Sequence, residues 1–196
     1  MHRKQIKNMG LPVVYGIYGA ARGTGCTHLA LSAASYLSGT LGYKTALIEV
    51  GERKSLLSLY TSDKVASKIG NLRYFRYRFL DVYYNTDSPD LSCLSYERII
   101  LDLQEMPDDS ILADLDILFI LCDNKPWNES SLRSLYHLKK ESTNRPQRII
   151  CIQKDREDGF RDSILKARKI KTVKLPVIHD PFSPGRDFRK ISYLFK

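Results

Sequence analysis

No apolar run in this 196-residue chain approaches the roughly 20 residues a helix needs to cross a bilayer, so no membrane span is expected. The basic opening, residues 1–7, is not followed by an unbroken apolar segment with a small-residue cleavage site, and secretion is not expected either. Cysteine is scarce. Cys26, Cys93, Cys122 and Cys151 are far apart and form no CxxC pair, which argues against a zinc site or a redox pair. Cys122 and Cys151 fall in apolar, strand-like runs and read as core residues. Reduced thiols without a secretion signal point to the cytoplasm. No Ser/His/Asp or Cys/His grouping suggests nucleophilic catalysis, and His179 reads as a loop histidine. Repeats, low-complexity tracts and interdomain linkers are missing as well. One domain over 10–196, preceded by a basic extension over 1–9, is the organisation expected.

Positive charge is what the chain has in excess: 31 Lys and Arg against 22 Asp and Glu give a formal net charge of +9. That balance favours an anionic partner, whether nucleotide, nucleic acid or an acidic membrane face, without choosing among them.

Apolar runs alternate with helical stretches. Strands are expected over 12–18, 44–50, 98–102, 115–122, 148–152 and 172–178, with a further strand inside 72–84. Helices are expected from Thr27, with Leu29, Leu31, Ala33, Ala34 and Leu37 as an apolar stripe, and over 54–60, 130–140, 161–169 and 186–195. Continuous apolar strands separated by helices predict an α/β fold: a mostly parallel sheet with helices on both faces. In such sheets ligands bind along the rim formed by the C-terminal ends of the strands. The Gly-rich segment 19–27, Glu49, Asp102, Asp123 and Gln153 all fall at such ends.

Gly19-Ala20-Ala21-Arg22-Gly23-Thr24-Gly25-Cys26-Thr27-His28 joins the first strand to the first helix. A Gly-rich strand-to-helix turn presents backbone N–H groups and a helix N-terminus to an anion. Gly23 and Gly25 permit the close backbone approach, and Thr27 stands where a hydroxyl meets Mg2+. The segment resembles the phosphate loop of the ParA/MinD family of deviant Walker ATPases, GKGGxGKT, and implies that family's P-loop NTPase fold. Laid over residues 20–27, Gly23, Gly25 and Thr27 match. Ala20 replaces the first Gly, Ala21 the family's extra lysine, Arg22 a Gly, and Cys26 the phosphate-binding lysine. Cys26 supplies no cation. Loss of such an electrostatic contact typically costs about 10²–10³ in rate. Arg22 is the residue placed to restore charge through bidentate phosphate contacts.

The same resemblance implies roles elsewhere. Residues 96–102 are similar to the Walker B strand, whose terminal Asp, here Asp102, holds Mg2+ through water. Residues 46–51 are similar to the second-strand segment that orients the attacking water. Glu49 takes its first acidic position and Gly51 replaces the second Asp. Gln153 sits where the family reads the base with an Asn. The implied cofactors are ATP and Mg2+. Ala21, Arg22, Gly23, Thr24, Gly25, Cys26, Thr27, His28 and Gln153 are the candidate cofactor contacts, Thr27 and Asp102 the metal ligands, and Glu49 and Asp102 the catalytic candidates. Homodimerisation through the nucleotide face is also implied.

Arg73, Arg76 and Arg78 interleave with Tyr74, Phe75, Tyr77 and Phe79. That alternation suits single-stranded nucleic acid, but it reads better as a half-buried strand with aromatics inward. Lys166, Arg168, Lys169, Lys171 and Lys174 form a second basic cluster. The basic, amphipathic tail 188–196 could dock on a membrane, as in MinD-like proteins, yet is expected to pack on the sheet. The expected function is a nucleotide-binding scaffold or positioning protein with weak or no ATPase activity. It would be cytoplasmic, at most peripheral at the inner membrane face, and would serve a membrane-associated partner such as a TadZ-like pilus or secretion assembly. The alternatives are a slow ATPase partitioning DNA or cargo, and a DNA-binding module.

Overall fold

A computed structural model of the chain describes residues 11–60, 66–122, 146, 148–153 and 171–195. Within these, nine strands form one sheet: β1 (Val13–Gly19), β2 (Thr45–Val50), β3 (Ala66–Ile69), β4 (Leu72–Tyr77), β5 (Leu80–Thr86), β6 (Arg98–Leu103), β7 (Ile117–Cys122), β8 (Arg148–Gln153) and β9 (Lys171–Lys174). Their spatial order is β3-β4-β5-β2-β6-β1-β7-β8-β9. From β5 to β9 every neighbour pair is parallel, while β3, β4 and β5 form an antiparallel meander at one edge.

The central strands β1, β2, β6 and β7 are buried almost throughout, because helices or loops cover both faces. On one face Tyr15, Ile17, Leu47, Ile100 and Phe119 pack against α1 (Cys26–Ser35) and α3 (Gly185–Ser192). On the other, Val14, Ile48, Leu101, Leu118 and Ile120 meet Leu112 of α2 (Asp109–Asp114) together with Leu91 and Leu94. Asp108 caps α2, accepting from the N–H groups of Ser110 and Ile111.

The chain's end is an anchor of the first face. Phe188, Ile191, Leu194 and Phe195 are buried, and the Tyr15 hydroxyl donates to the Phe195 carbonyl at 2.8 Å. The tail packs on the sheet as expected, and its apolar side is not available to a membrane. Cys122 and Cys151 are buried core residues.

Several boundaries depart from expectation. The span 72–84 is two antiparallel strands. Arg78 turns between them at φ 55°, with its guanidinium over the Tyr77 and Phe182 rings. In β4, Phe75 is buried while Arg73 and Arg76 are exposed, Arg76 pairing with Asp81 through two hydrogen bonds of 2.8 and 3.0 Å. The helix expected over 54–60 is a short 3-10 turn, Leu56–Leu59. The last strand stops at Lys174 rather than continuing to 178, and α1 passes at Tyr36 into a wider π-helical turn. Strand β3 and helix α2 were not foreseen. The extension 1–9, Asp123, the helices expected over 130–140 and 161–169, and with them Lys166, Arg168 and Lys169, lie outside the described residues.

Candidate phosphate-binding site

β1 ends at Gly19 in the sheet centre, and residues 20–25 carry the chain into α1. The Ala20 N–H is held by the Leu121 carbonyl at 2.9 Å, and the Thr24 hydroxyl donates to the Ala21 carbonyl at 3.0 Å. Gly23 and Gly25 adopt φ of 77° and 90°, a left-handed backbone that a Cβ would strain. Gly25 is the N-cap of α1, with no side-chain cap, and the first intrahelical bond is Leu29 N–H to Gly25 O. The first-turn N–H groups of Cys26, Thr27 and His28 are therefore left for a ligand, at the positive end of the helix.

This loop forms one wall of a cleft of about 490 Å³, which Asp102, Gln104 and Arg53 close from the ends of β6 and β2. The expected residues from Ala21 to His28 all line it, as does Asp102. Glu49 and Gln153 do not. Gln153 ends β8, two strands away from β1. His28 also ties the loop beyond β9, with Nε2 2.8 Å from the Ile178 carbonyl.

Three side chains set the chemistry. The Cys26 thiol lies 2.9 Å from the Ile17 carbonyl and 3.2 Å from Asp102 Oδ1. Burial, and then the Asp102 carboxyl, push its pKa well up. Cys26 therefore stays a neutral thiol and brings no charge of either sign to the loop. Asp102 is 1% exposed, and burial raises its pKa against hydrogen bonding from Thr27 and Cys26 and the charge of Arg53. Its Oδ2 has no hydrogen-bond partner among the described residues.

Glu49 pairs in register with Asp102 on the adjacent strand and is fully buried. Its Oε1 accepts from the Leu56 N–H at 3.1 Å and from Gln104 Nε2 at 2.9 Å, while Oε2 is unpartnered among the described residues. Burial pushes this carboxyl up, against the Leu56 and Ser55 N–H groups.

An orphaned, buried Asp102 oxygen beside the Thr27 hydroxyl fits a hard cation such as Mg2+, which takes oxygen ligands from one or two carboxylates and phosphates. The described residues hold no cluster of three or more His, Cys, Asp or Glu suited to a metal, so most of the ligands would be water or phosphate oxygens. The loop's donors fit an anion. The lysine position does not fit a group that must follow charge developing on the terminal phosphate. Arg53 and Gln104 were not foreseen: only the fold brings the loop after β2 and the end of β6 to the phosphate loop.

A mixed, mostly parallel sheet with a Gly-rich loop leading into α1 and a buried Asp at the end of the neighbouring strand matches the P-loop NTPase fold in its ParA/MinD form. No family model matches the sequence, and no curated protein matches it. Solved structures do. A ParA family ATPase from Chlorobium tepidum superposes with a TM-score of 0.65 at 18% identity, covering 92% of this chain and 93% of that one. A plasmid partition protein from Borrelia burgdorferi gives 0.60 at 17% identity, covering 94% and 97%. The MinD cell division protein of Aquifex aeolicus gives 0.57 at 16%, covering 85% and 81%. At such identities the likeness is one of fold.

Proposed function

We propose that this chain is a ParA/MinD-like protein that binds ATP with Mg2+ and acts as a nucleotide-responsive scaffold or positioning factor, with little or no turnover. The observation that carries the reading is Cys26. Where the fold's phosphate lysine belongs stands a neutral thiol hydrogen-bonded to the Ile17 carbonyl and the Asp102 carboxyl, in a loop whose Gly23 and Gly25 hold left-handed φ angles. The free N–H groups of 26–28 would take phosphate oxygens, Thr27 and Asp102 would hold the metal, and Arg22, exposed at the lip, would add charge. When bound there, held by Thr27 and Asp102, Mg2+ would supply positive charge to offset that of the phosphates. Binding of this kind uses preorganised dipoles. Hydrolysis would further need a cation tracking the transition state, which Cys26 withholds.

Support from the neighbours is of the same kind. One Borrelia burgdorferi partition protein of this fold is bound to AMPPNP, and a MinD from Pyrococcus horikoshii is complexed with Mg-ADP. Dimerisation across the cleft face belongs to this reading, as does a membrane-associated partner such as a pilus or secretion assembly. So does a cytoplasmic or peripheral location, with no helix among the described residues long and apolar enough to cross a membrane.

A slow partitioning ATPase is the rival, and phosphate release separates the two. At saturating Mg-ATP, release by the wild type should equal that of Asp102→Ala, both at background. Turnover that Asp102→Ala abolishes would contradict the scaffold reading.

A further inference from the structure

The charge missing at Cys26 has a second source. β2 ends at Val50, and the loop that follows is tied down at three points. The Gly51 N–H donates to the Thr86 carbonyl at 2.9 Å, the Arg53 N–H to Gln104 Oε1 at 2.6 Å, and the Leu56 N–H to Glu49 Oε1 at 3.1 Å. Gln104 holds both ends of this arrangement, because its Nε2 donates to that same Glu49 oxygen at 2.9 Å while its own N–H meets the Val50 carbonyl at 3.2 Å. Gly51 makes room for it: a Cβ there would stand 2.9 Å from Gln104 Oε1. A surface loop carrying four charged or polar residues in a row, Glu52 to Ser55, would ordinarily sample many conformations. This one is fixed to a buried carboxylate.

What the tether presents is Arg53. It lines the same cleft as the phosphate loop, is exposed, and has no ion-pair partner among the described residues. Burial raises the pKa of Cys26, Asp102 and Tyr18, and the charge of Arg53 works against that rise at all three. A guanidinium is always charged and offers a planar fork that matches two phosphate oxygens, so it suits this post better than a mobile ammonium.

We propose that Arg53, held in place by the Glu49–Gln104 pair, is a phosphate-binding residue of the cleft and replaces, from the loop after β2, the cation that Cys26 does not supply. Glu49 and Gln104 are then positioning residues: Glu49 does not line the cleft, and Gln104, which does, acts by fixing the loop that carries Arg53. The inference rests on the nucleotide-binding reading above and deepens it.

The test uses calorimetry on the full chain with Mg-ATP and, separately, with inorganic tripolyphosphate, which has neither sugar nor base. Arg53→Ala should weaken both ligands by about 10- to 100-fold, the ordinary worth of a hydrogen-bonded charged contact, and Arg53→Lys should recover part of the loss. Arg73→Ala, on the exposed face of β4, should change neither and controls for the overall positive charge. Gln104→Leu should weaken binding about 3- to 10-fold in the wild type and not at all in Arg53→Ala, since a tether matters only while it holds something. Arg53 and Arg73 are exposed, so these variants should fold, and equal melting temperatures would check it. Wild-type affinity in Arg53→Ala would overturn the inference and leave the nucleotide reading standing. Additive losses in the double variant would overturn the tether. A wild type that binds neither ligand would overturn both the inference and the reading beneath it.

Discussion

Tyr15 and Asp102 lie on the same face of the same sheet, one strand apart, and the fold treats them in opposite ways. Tyr15 is fully buried, its ring centroid 6.3 Å from Phe119 and 5.5 Å from Phe195, and its single polar atom has a partner in the Phe195 carbonyl. Asp102, near the C-terminal end of β6, is equally buried yet keeps an oxygen without a partner among the described residues, and Glu49 beside it does the same. An unpaired buried polar atom is costly, and proteins seldom keep one without a use. Away from the rim, Ser35 Oγ and Arg98 Nε also lack a partner among the described residues, but the unpartnered carboxylate oxygens are both at the rim. The lower half of this face is dominated by packed rings, and the rim holds carboxylate acceptors in reserve.

That contrast can be attacked from either side. The largest effect should come from the packed half. Phe195→Ala removes a fully buried ring that meets Tyr15, Phe119 and Phe188, and should cost about 3–5 kcal/mol of unfolding free energy in a denaturant titration. Mg-ATP affinity of the folded fraction should not change, because no residue of this cluster lines the cleft. A loss of affinity with little loss of stability would mean that the two halves are not separate.

A smaller effect, of opposite sign, is expected at the rim. Burial raises the Asp102 pKa, so the folded state prefers its protonated form. That preference stabilises the fold below the ordinary carboxylate value of 3.8 and is lost as pH rises through the raised folded value. Asp102→Asn removes the buried charge and should gain about 1 kcal/mol at pH 7.5, a few degrees in Tm. The gain should shrink as pH is lowered toward 3.8. A variant that melts below the wild type at pH 7.5 would show that Asp102 is satisfied after all.

The same division explains how far the sequence could be read. β1, β2, β6, β7 and β8 announce themselves as apolar runs because both faces of a central parallel strand are covered. β3 does not: Ala-Ser-Lys-Ile has no period, and three of its four residues are exposed, since its order comes from pairing with β4 rather than from burial. The turn at Arg78 carried no Gly or Asn to mark it, because cation–π contacts with Tyr77 and Phe182 hold the positive φ instead. Periodicity over 54–60 suggested a helix, but the Leu56 N–H is taken by Glu49, and Lys54 sits at φ 53°, which no helix tolerates.

The site was legible to the extent that it is local. Gly23, Gly25, Thr27 and Asp102 could be placed because each belongs to one strand-turn-helix unit or one strand end. Arg53 and Gln104 could not, because nothing within residues 50–56 says that the loop leans on Gln104, just past the end of β6 and some fifty positions later. Glu49 was identified, but its visible contacts are to a backbone N–H and an amide rather than to the cleft.

The central claim is that the cradle after β1 binds polyphosphate although the lysine is gone. Calorimetric titration of the full chain with ATP, with and without Mg2+, tests it directly. Saturable heat below millimolar ligand, strengthened by Mg2+ and losing that Mg2+ dependence in Asp102→Asn, is the expected result. No heat and no thermal shift at millimolar Mg-ATP would contradict it.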